Sequence, residues 1–187
     1  KNLTNIRRDK IGLIFQQFHL VNYLTALENV MLAQYYHSIT DEKEAMEALD
    51  RVGLADRAKH LPSQLSGGEQ QRLALGKVLL LNPDVILLDE PTKGLDPFFK
   101  ISLAGIFKKL TAKGKTLLMV SHDIEFCAQY GDKCAMFFDG NIVSQGSPKE
   151  FFSGNNFYTT AANKISREYI PEAITWEEVA RWAETLM

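Results

Sequence analysis

The sequence predicts an α/β protein in which a parallel β-sheet is accompanied by a small helical subdomain. Three short apolar runs, at residues 10–15, 85–89 and 116–120, are typical of buried strands. Stretches long enough for helices of a dozen or more residues separate the later runs, and such alternation indicates βαβ units and hence a parallel sheet. The stretch at residues 25–81 is mostly helical in pattern and predicts the subdomain.

The composition excludes several classes of protein. The chain has 187 residues, 45% of them hydrophobic, and its 21 basic and 23 acidic side chains give a net charge of −2. Neither sign is concentrated in a tail or stripe, so we expect no nucleic acid partner. The two cysteines, Cys127 and Cys134, are too few for a disulfide framework and indicate a reducing compartment. We expect no membrane span, because residues 82–84 interrupt the longest apolar stretch.

Helix signals begin early in the chain. Thr25 and Glu28 form a capping box, which predicts a helix from about Ala26 to about His37. A second helix is expected at residues 41–52, ended by a glycine.

The second half of the chain alternates helices with strands. Ser66 and Glu69 form another capping box, so we expect a helix to about Leu81, before the strand at residues 85–89. Asp96 precedes a proline that begins a further helix, since proline is favoured at the first helical position. The remaining expected elements are, in order, a strand at 116–120, a helix at 123–130, a hairpin with strands at 133–139 and 141–145, a short helix after Ser147 and a last helix after Thr175.

The most specific string is SGGEQ at residues 66–70. Two glycines at a capped helix start expose backbone N–H groups, and the positive end of the helix dipole favours an anion there. This pattern predicts phosphate binding; the alternative is an ordinary helix cap with a flexible entry.

Polar side chains stand at the ends of the predicted strands, where α/β sheets bind ligands. Asp89 suits Mg²⁺, which prefers oxygen ligands, and Glu90 can activate water as a general base. The alternative, a solvated end of the strand, is disfavoured by the GLD string that follows at residues 94–96. His122 follows the next strand, where we favour a phosphate-sensing role over a structural one, and Gln16 follows the first run.

In this order and spacing, these strings resemble the nucleotide-binding domain of an ABC transporter over residue 11 to about residue 152. The resemblance implies a P-loop NTPase-like fold that binds ATP and Mg²⁺ and hydrolyses ATP to power transport across a membrane. It also implies two partners, a second nucleotide-binding subunit in a head-to-tail dimer and an integral membrane subunit, and a place on the cytoplasmic face of the cell membrane.

The resemblance assigns a role to each matching residue. Glu90 is the catalytic base, His122 the switch histidine and Gln16 the Q-loop glutamine. Asp89 is the Walker B carboxylate and, with Gln16, a ligand of the metal. The residues implied in nucleotide binding are Ser66, Gly67, Gly68, Glu69 and Gln70 of the signature motif and Asp96 of the D-loop.

One expected part is missing from the sequence. The family's Walker A loop, G-x-x-x-x-G-K-[ST], cradles the β- and γ-phosphates, and no such string occurs in these residues. The family places it before the Q-loop, so we expect it to lie before residue 1, with the domain incomplete at its N-terminus. We therefore expect the isolated chain to bind ATP poorly.

The expected organisation has four parts. They are a core strand and Q-loop at residues 1–24, a helical subdomain with the signature motif at 25–81, an ATPase core at 82–152 and a helical appendage at 153–187. Residues 15–30 resemble the lipoprotein-releasing and macrolide-export branch, whereas residues 73–77, 91–97 and 137–162 resemble the energy-coupling-factor branch. Either a recombined gene or an unfamiliar natural branch is consistent with this mixture.

Other functions remain open at this point. DNA-repair and chromosome-structure ATPases share the signature motif but insert a long coiled coil before it, and no sustained heptads separate Gln16 from Ser66. Translation-factor relatives have two such domains in one chain. A non-catalytic remnant that acts only by association with intact subunits is supported by the missing Walker A loop.

Overall fold

The computed structural model describes residues 3–35, 39–155 and 157–186. The chain divides between Val120 and Ser121 into two compact units, called the first and second units below.

The first unit contains the predicted parallel sheet. Its strands are β1 (Ile11–Ile14), β2 (Val85–Asp89) and β3 (Thr116–Val120), in the order β1-β2-β3. Ile14 lies opposite Leu88, and Asp89 lies opposite Val120. Because both pairings are parallel, the three strands end at the same edge of the sheet.

Five helices of the first unit are described: α1 (Leu3–Lys10), α2 (Ala26–Tyr35), α3 (Glu42–Arg51), α4 (Gly67–Leu80) and α5 (Pro97–Ala112). Short 3-10 turns lie at Ala55–Arg57 and Pro62–Gln64. The predicted caps of α2 and α4 are confirmed, while the predicted end of α2 at His37 lies outside the described residues. Helix α1 was not predicted from the sequence, because it has no buried residue and therefore no apolar periodicity to reveal it.

The helical subdomain has a closed core. Helices α2, α3 and α4 contact one another, and Ala26, Val30, Leu49 and Leu73 have no exposed surface. The Asn29 side chain is also fully buried, and it bonds to four backbone groups of the preceding turn. Buried amides are tolerated when they are paired in this way.

The expectation that the strands are buried is only partly correct. Gly12 and Ile14 are buried, and a Cβ at Gly12 would overlap Val78 of α4. On the opposite face Leu13 is 51% exposed and Leu118 is 61% exposed. Successive side chains of a strand point to opposite faces, and within the described residues only one face of this sheet is covered by helices.

The second unit contains six described elements: α6 (Ile124–Tyr130), β4 (Cys134–Phe138), β5 (Asn141–Gly146), α7 (Pro148–Ser153), α8 (Ala161–Ser166) and α9 (Trp176–Glu184). The predicted hairpin is confirmed, and Asp139 and Gly140 both have positive φ, as its two-residue turn requires. Ala128, Phe152 and Ile174 form the core of the second unit. None of the helices in the described ranges is both long and apolar enough to span a membrane.

Candidate functional site

Three of the predicted site residues follow strands at one edge of the sheet. Gln16 lies two residues beyond the end of β1, while Asp89 ends β2 and Glu90 follows it. Strands β1 and β2 are adjacent and parallel, and Ile14 lies opposite Leu88. Gln16 follows Ile14 by two residues, and Glu90 follows Leu88 by two residues. Gln16 and Asp89 are exposed and Glu90 is partly buried, so this edge presents an amide and two carboxyl groups.

Glu90 has an unusual backbone conformation. Its φ is 48°, in the left-handed region that non-glycine residues rarely adopt. Its N–H donates to the Val120 carbonyl oxygen at 2.9 Å, and its own carbonyl oxygen accepts from the Lys93 N–H at 3.1 Å. These bonds hold a sharp turn immediately after β2. Strained backbone of this kind often occurs at functional sites, and the sequence pattern did not reveal it.

The signature turn, residues 66–70, is held by hydrogen bonds at the start of α4. The Glu69 carboxylate accepts from the Ser66 N–H at 2.8 Å and from the Ser66 hydroxyl at 2.9 Å, and Arg57 Nε donates to it at 3.1 Å. The Ser66 hydroxyl in turn accepts from the Glu69 N–H. The bond from the Ser66 N–H is the main cause of a lowered Glu69 pKa, with the Ser66 hydroxyl and Arg57 acting in the same direction against burial.

The other members of the signature turn differ in their surroundings. Gln70 Nε2 donates to the carbonyl oxygens of Pro62 at 3.0 Å and Leu65 at 3.1 Å, so this amide group braces the turn. Gly67 is exposed, and a Cβ there would meet no atom within 4 Å. Gly68 is buried, and a Cβ there would lie 2.6 Å from the Phe99 ring.

Asp96 caps α5, the helix that follows the sheet edge. Its carboxylate accepts from the N–H groups of Phe98 at 2.9 Å and Phe99 at 3.1 Å. The Phe99 ring then packs on Gly68 and lies under the guanidinium of Arg72, whose Cζ is 5.3 Å from the ring centroid. The structure therefore joins the signature turn to the Asp96 helix through Phe99.

Phe99 and Arg72 were absent from the predicted site. A weak signal was available, because Gly68 and Arg72 are four residues apart and so share one face of α4. Only the folded structure identifies Phe99 as the side chain that this face contacts.

His122 lies in the second unit and is exposed. Its carbonyl oxygen accepts from the Ile124 N–H at 3.1 Å, in the turn that leads into α6, which Asp123 caps. The placement of its imidazole at the sheet edge of the first unit stays a prediction.

The residues at the sheet edge fit the chemistry of Mg²⁺. Asp89 supplies a carboxylate and Gln16 an amide oxygen, which are hard donors, and both side chains are exposed to solvent. Mg²⁺ usually keeps several waters and takes one or two protein carboxylates with phosphate oxygens, so it does not require an all-protein cage. No group of three or more acidic, histidine or cysteine side chains suited to a metal occurs among the described residues.

Comparison with known proteins identifies the family. Residues 2–93 match the family profile described as ABC transporter. A putative ABC transporter ATP-binding protein of Bacillus thuringiensis is 53% identical over 127 residues, which are 68% of this chain and 22% of that protein. The glutamine transport ATP-binding protein of Escherichia coli is 40% identical over 146 residues, 76% of this chain and 61% of that protein. The chain thus spans about a fifth to three fifths of the length of these relatives.

A solved structure supports the same conclusion. A dimeric bacterial ABC transporter cassette has a TM-score of 0.69 and 41% identity, over 78% of this chain and 66% of the cassette. An ATP-binding cassette in a dimeric post-hydrolysis state, bound to ADP and Pi, gives the same values. This likeness confirms the predicted α/β fold class with its parallel, P-loop NTPase-like sheet. The chain therefore belongs to the ATP-binding domains of the ABC transporter family.

Proposed function

We propose that the chain is part of the ATP-hydrolysing subunit of an ABC transporter. The observation that carries this proposal is the arrangement of Gln16, Asp89 and Glu90 at one edge of a parallel sheet, with Glu90 held in a strained turn. Hydrolysis requires an acceptor for the proton of the attacking water, and a positioned carboxylate at a strand end can serve.

The proposed roles of these residues and of His122 rest on the family resemblance together with the chemistry of their side chains. Glu90 accepts the proton of the water that attacks the γ-phosphate, while Gln16 orients that water and shares the metal with Asp89. Mg²⁺, when bound, neutralises charge on the phosphates during their transfer. His122 contacts the departing phosphate as a hydrogen-bond donor.

The signature turn acts on a nucleotide held by another subunit. Gly67 and Gly68 begin α4, and the exposed Gly67, where a Cβ would meet no atom within 4 Å, leaves room for a phosphate to approach the start of this helix. Ser66, Glu69, Gln70 and Asp96 keep this surface in shape through the bonds described above. We therefore propose a head-to-tail pair in which this turn closes over ATP bound by the partner.

ATP binding by the chain alone tests the completeness of its site. The 187 residues contain no Walker A string, so we expect no saturable binding of a fluorescent ATP analogue at micromolar concentrations. Micromolar binding would contradict this expectation. The alternative function, a non-catalytic or recombined fragment that acts only through intact subunits, predicts the same weak binding but no effect of Glu90 on turnover.

Partners and substrate are proposed from the family and the relatives. An integral membrane subunit, contacted by the segment at residues 16–62, would hold the protein at the cytoplasmic face of the membrane. Relatives named for arginine, glutamate, glutamine and cystine transport make an amino acid the first substrate class to test. The four-part domain division and the mixed resemblance to the lipoprotein-releasing and energy-coupling-factor branches remain proposals as well.

The decisive experiment is Glu90→Gln in the assembled transporter that contains this chain. Loss of a general base should lower ATP turnover by about 10²-fold or more, while binding of MgATP is retained. Glu184→Gln, on the exposed surface of α9, is the matched control and should leave turnover unchanged. Turnover by the Glu90→Gln variant equal to that of the control would overturn the proposed role.

A further inference from the structure

A lysine of α4 reaches the loop that contains Gln16. Lys77 Nζ donates to the carbonyl oxygen of His19 at 3.0 Å, across 58 residues of sequence. The Lys77 side chain is partly buried, and this burial lowers its pKa. An ammonium group that loses part of its hydration is stabilised by a charge-assisted bond to a carbonyl oxygen, so the bond to His19 stabilises the partly buried Lys77 side chain.

The loop itself is conformationally restricted around this bond. His19 has φ of 48°, in the left-handed region, and its ring makes an edge contact with Phe15 at a centroid separation of 5.3 Å. Further along, the Val21 N–H donates to the buried Asn29 side chain at 2.8 Å. Gln16 therefore lies within a loop that is fixed to α4 at His19 and to α2 at Val21.

We propose that Lys77 is a positioning residue for Gln16. By holding the His19 carbonyl, it fixes the loop after β1 against α4, the helix that begins with the signature turn. The position of Gln16 then depends on the position of α4. This inference rests on the proposed role of Gln16 in ATP hydrolysis.

The chain offers a matched control for this lysine. Lys115 Nζ donates at 3.0 Å to the carbonyl oxygen of Asn82, which also has φ of 48°. Both lysines donate to a carbonyl oxygen, and Lys115 Nζ also lies 3.8 Å from an Asp84 carboxylate oxygen. The Lys115 contact lies next to the residues that lead into β2 and β3, away from the Gln16 loop.

Hydrogen exchange on the chain itself tests the first half of the proposal. Lys77→Met should speed exchange of the hydrogen-bonded amides of Val21 and Leu24 about tenfold, because the bond to a charged donor is lost. Lys77→Arg should keep these rates close to those of the wild type, and Lys115→Met should not change them. Unchanged rates in Lys77→Met, or equal acceleration in Lys115→Met, would overturn the proposal.

A double-mutant cycle in the assembled transporter tests the second half. Lys77→Met should lower ATP turnover several-fold in the wild-type background and have no further effect when Gln16 is already alanine, since residues acting through one another are not additive. Independent, multiplying effects would contradict the positioning role. If Gln16→Ala alone leaves turnover unchanged, the proposed function of Gln16 fails, whereas the exchange experiment still decides whether Lys77 holds the loop.

Discussion

The signature turn and the sheet edge are built in different ways. The signature turn is held by bonds between residues close in sequence, chiefly those that link Ser66 to Glu69. The sheet edge exists because Ile14 and Leu88, distant in sequence, lie opposite each other in adjacent strands. Its turn at Glu90 also adopts a conformation that is unfavourable for this residue type.

This difference indicates how stability and function are distributed. Side chains of the signature turn serve the fold as well as the proposed site, so changing them should destabilise the protein. The backbone of Glu90 is strained, so this residue type costs stability that glycine would not, while the proposed chemistry needs its carboxylate. Proteins commonly show such opposition between stability and activity at functional residues.

The largest stability effect is expected at Gly68. A Cβ at this position would lie 2.6 Å from the Phe99 ring, which also contacts the Arg72 guanidinium. Gly68→Ala should therefore lower the free energy of unfolding by about 1–3 kcal/mol, the usual range for overpacking. Urea denaturation at neutral pH measures this change.

The adjacent glycine provides the control. Gly67→Ala introduces the same methyl group into the same helical turn, where it meets no atom within 4 Å, and should change stability by less than about 0.5 kcal/mol. Adding Phe99→Leu should recover part of the loss in Gly68→Ala. Equal effects of Gly67→Ala and Gly68→Ala would show that Phe99 does not fix the signature turn.

A smaller effect on stability is expected at Glu90, where alanine should again be less stable than glycine, this time because of backbone strain. Glycine can adopt the φ of 48° found at Glu90 without strain, whereas alanine cannot. Glu90→Gly should therefore be more stable than Glu90→Ala by about 1 kcal/mol, and since both variants remove the side chain, the difference isolates the backbone.

The same pair of substitutions at Glu47 should give the reverse order. Glu47 lies within α3, where glycine is less favourable than alanine by about 1 kcal/mol. Thermal unfolding of the four variants measures both differences. An alanine variant at position 90 as stable as the glycine variant would show that the turn after β2 is not strained.

The sequence predicted best what depends on neighbouring residues. The capping boxes predicted at Thr25 and Ser66 are formed, and the helices predicted after Ser147 and Thr175 also begin with capping boxes, because each box requires only residues three apart. The parallel sheet was also predicted, since alternation of strands and helices leaves few other topologies.

Contacts between distant segments could not be predicted in this way. The apolar runs that became β1 and β3 indicated buried strands, yet Leu13 and Leu118 are more than half exposed, because exposure depends on what covers each face. Likewise, Phe99 and Lys77 carried no recognisable signal, since their partners lie 31 and 58 residues away in sequence.

The smallest effect, a dependence on pH, is expected at Glu69 of the signature turn. Its folded pKa is lowered, first by the Ser66 N–H, so the stabilisation is complete above the ordinary value of 4.5 and is lost as the pH falls through the folded value. Glu69→Gln should therefore lose less stability than the wild type between about pH 6 and pH 3, as measured by urea midpoints. Arg57→Gln should retain most of the dependence, because Arg57 contributes less to the shift than Ser66 does. If the stability of Glu69→Gln depended on pH as strongly as that of the wild type, the capping box, although formed, would not stabilise the signature turn.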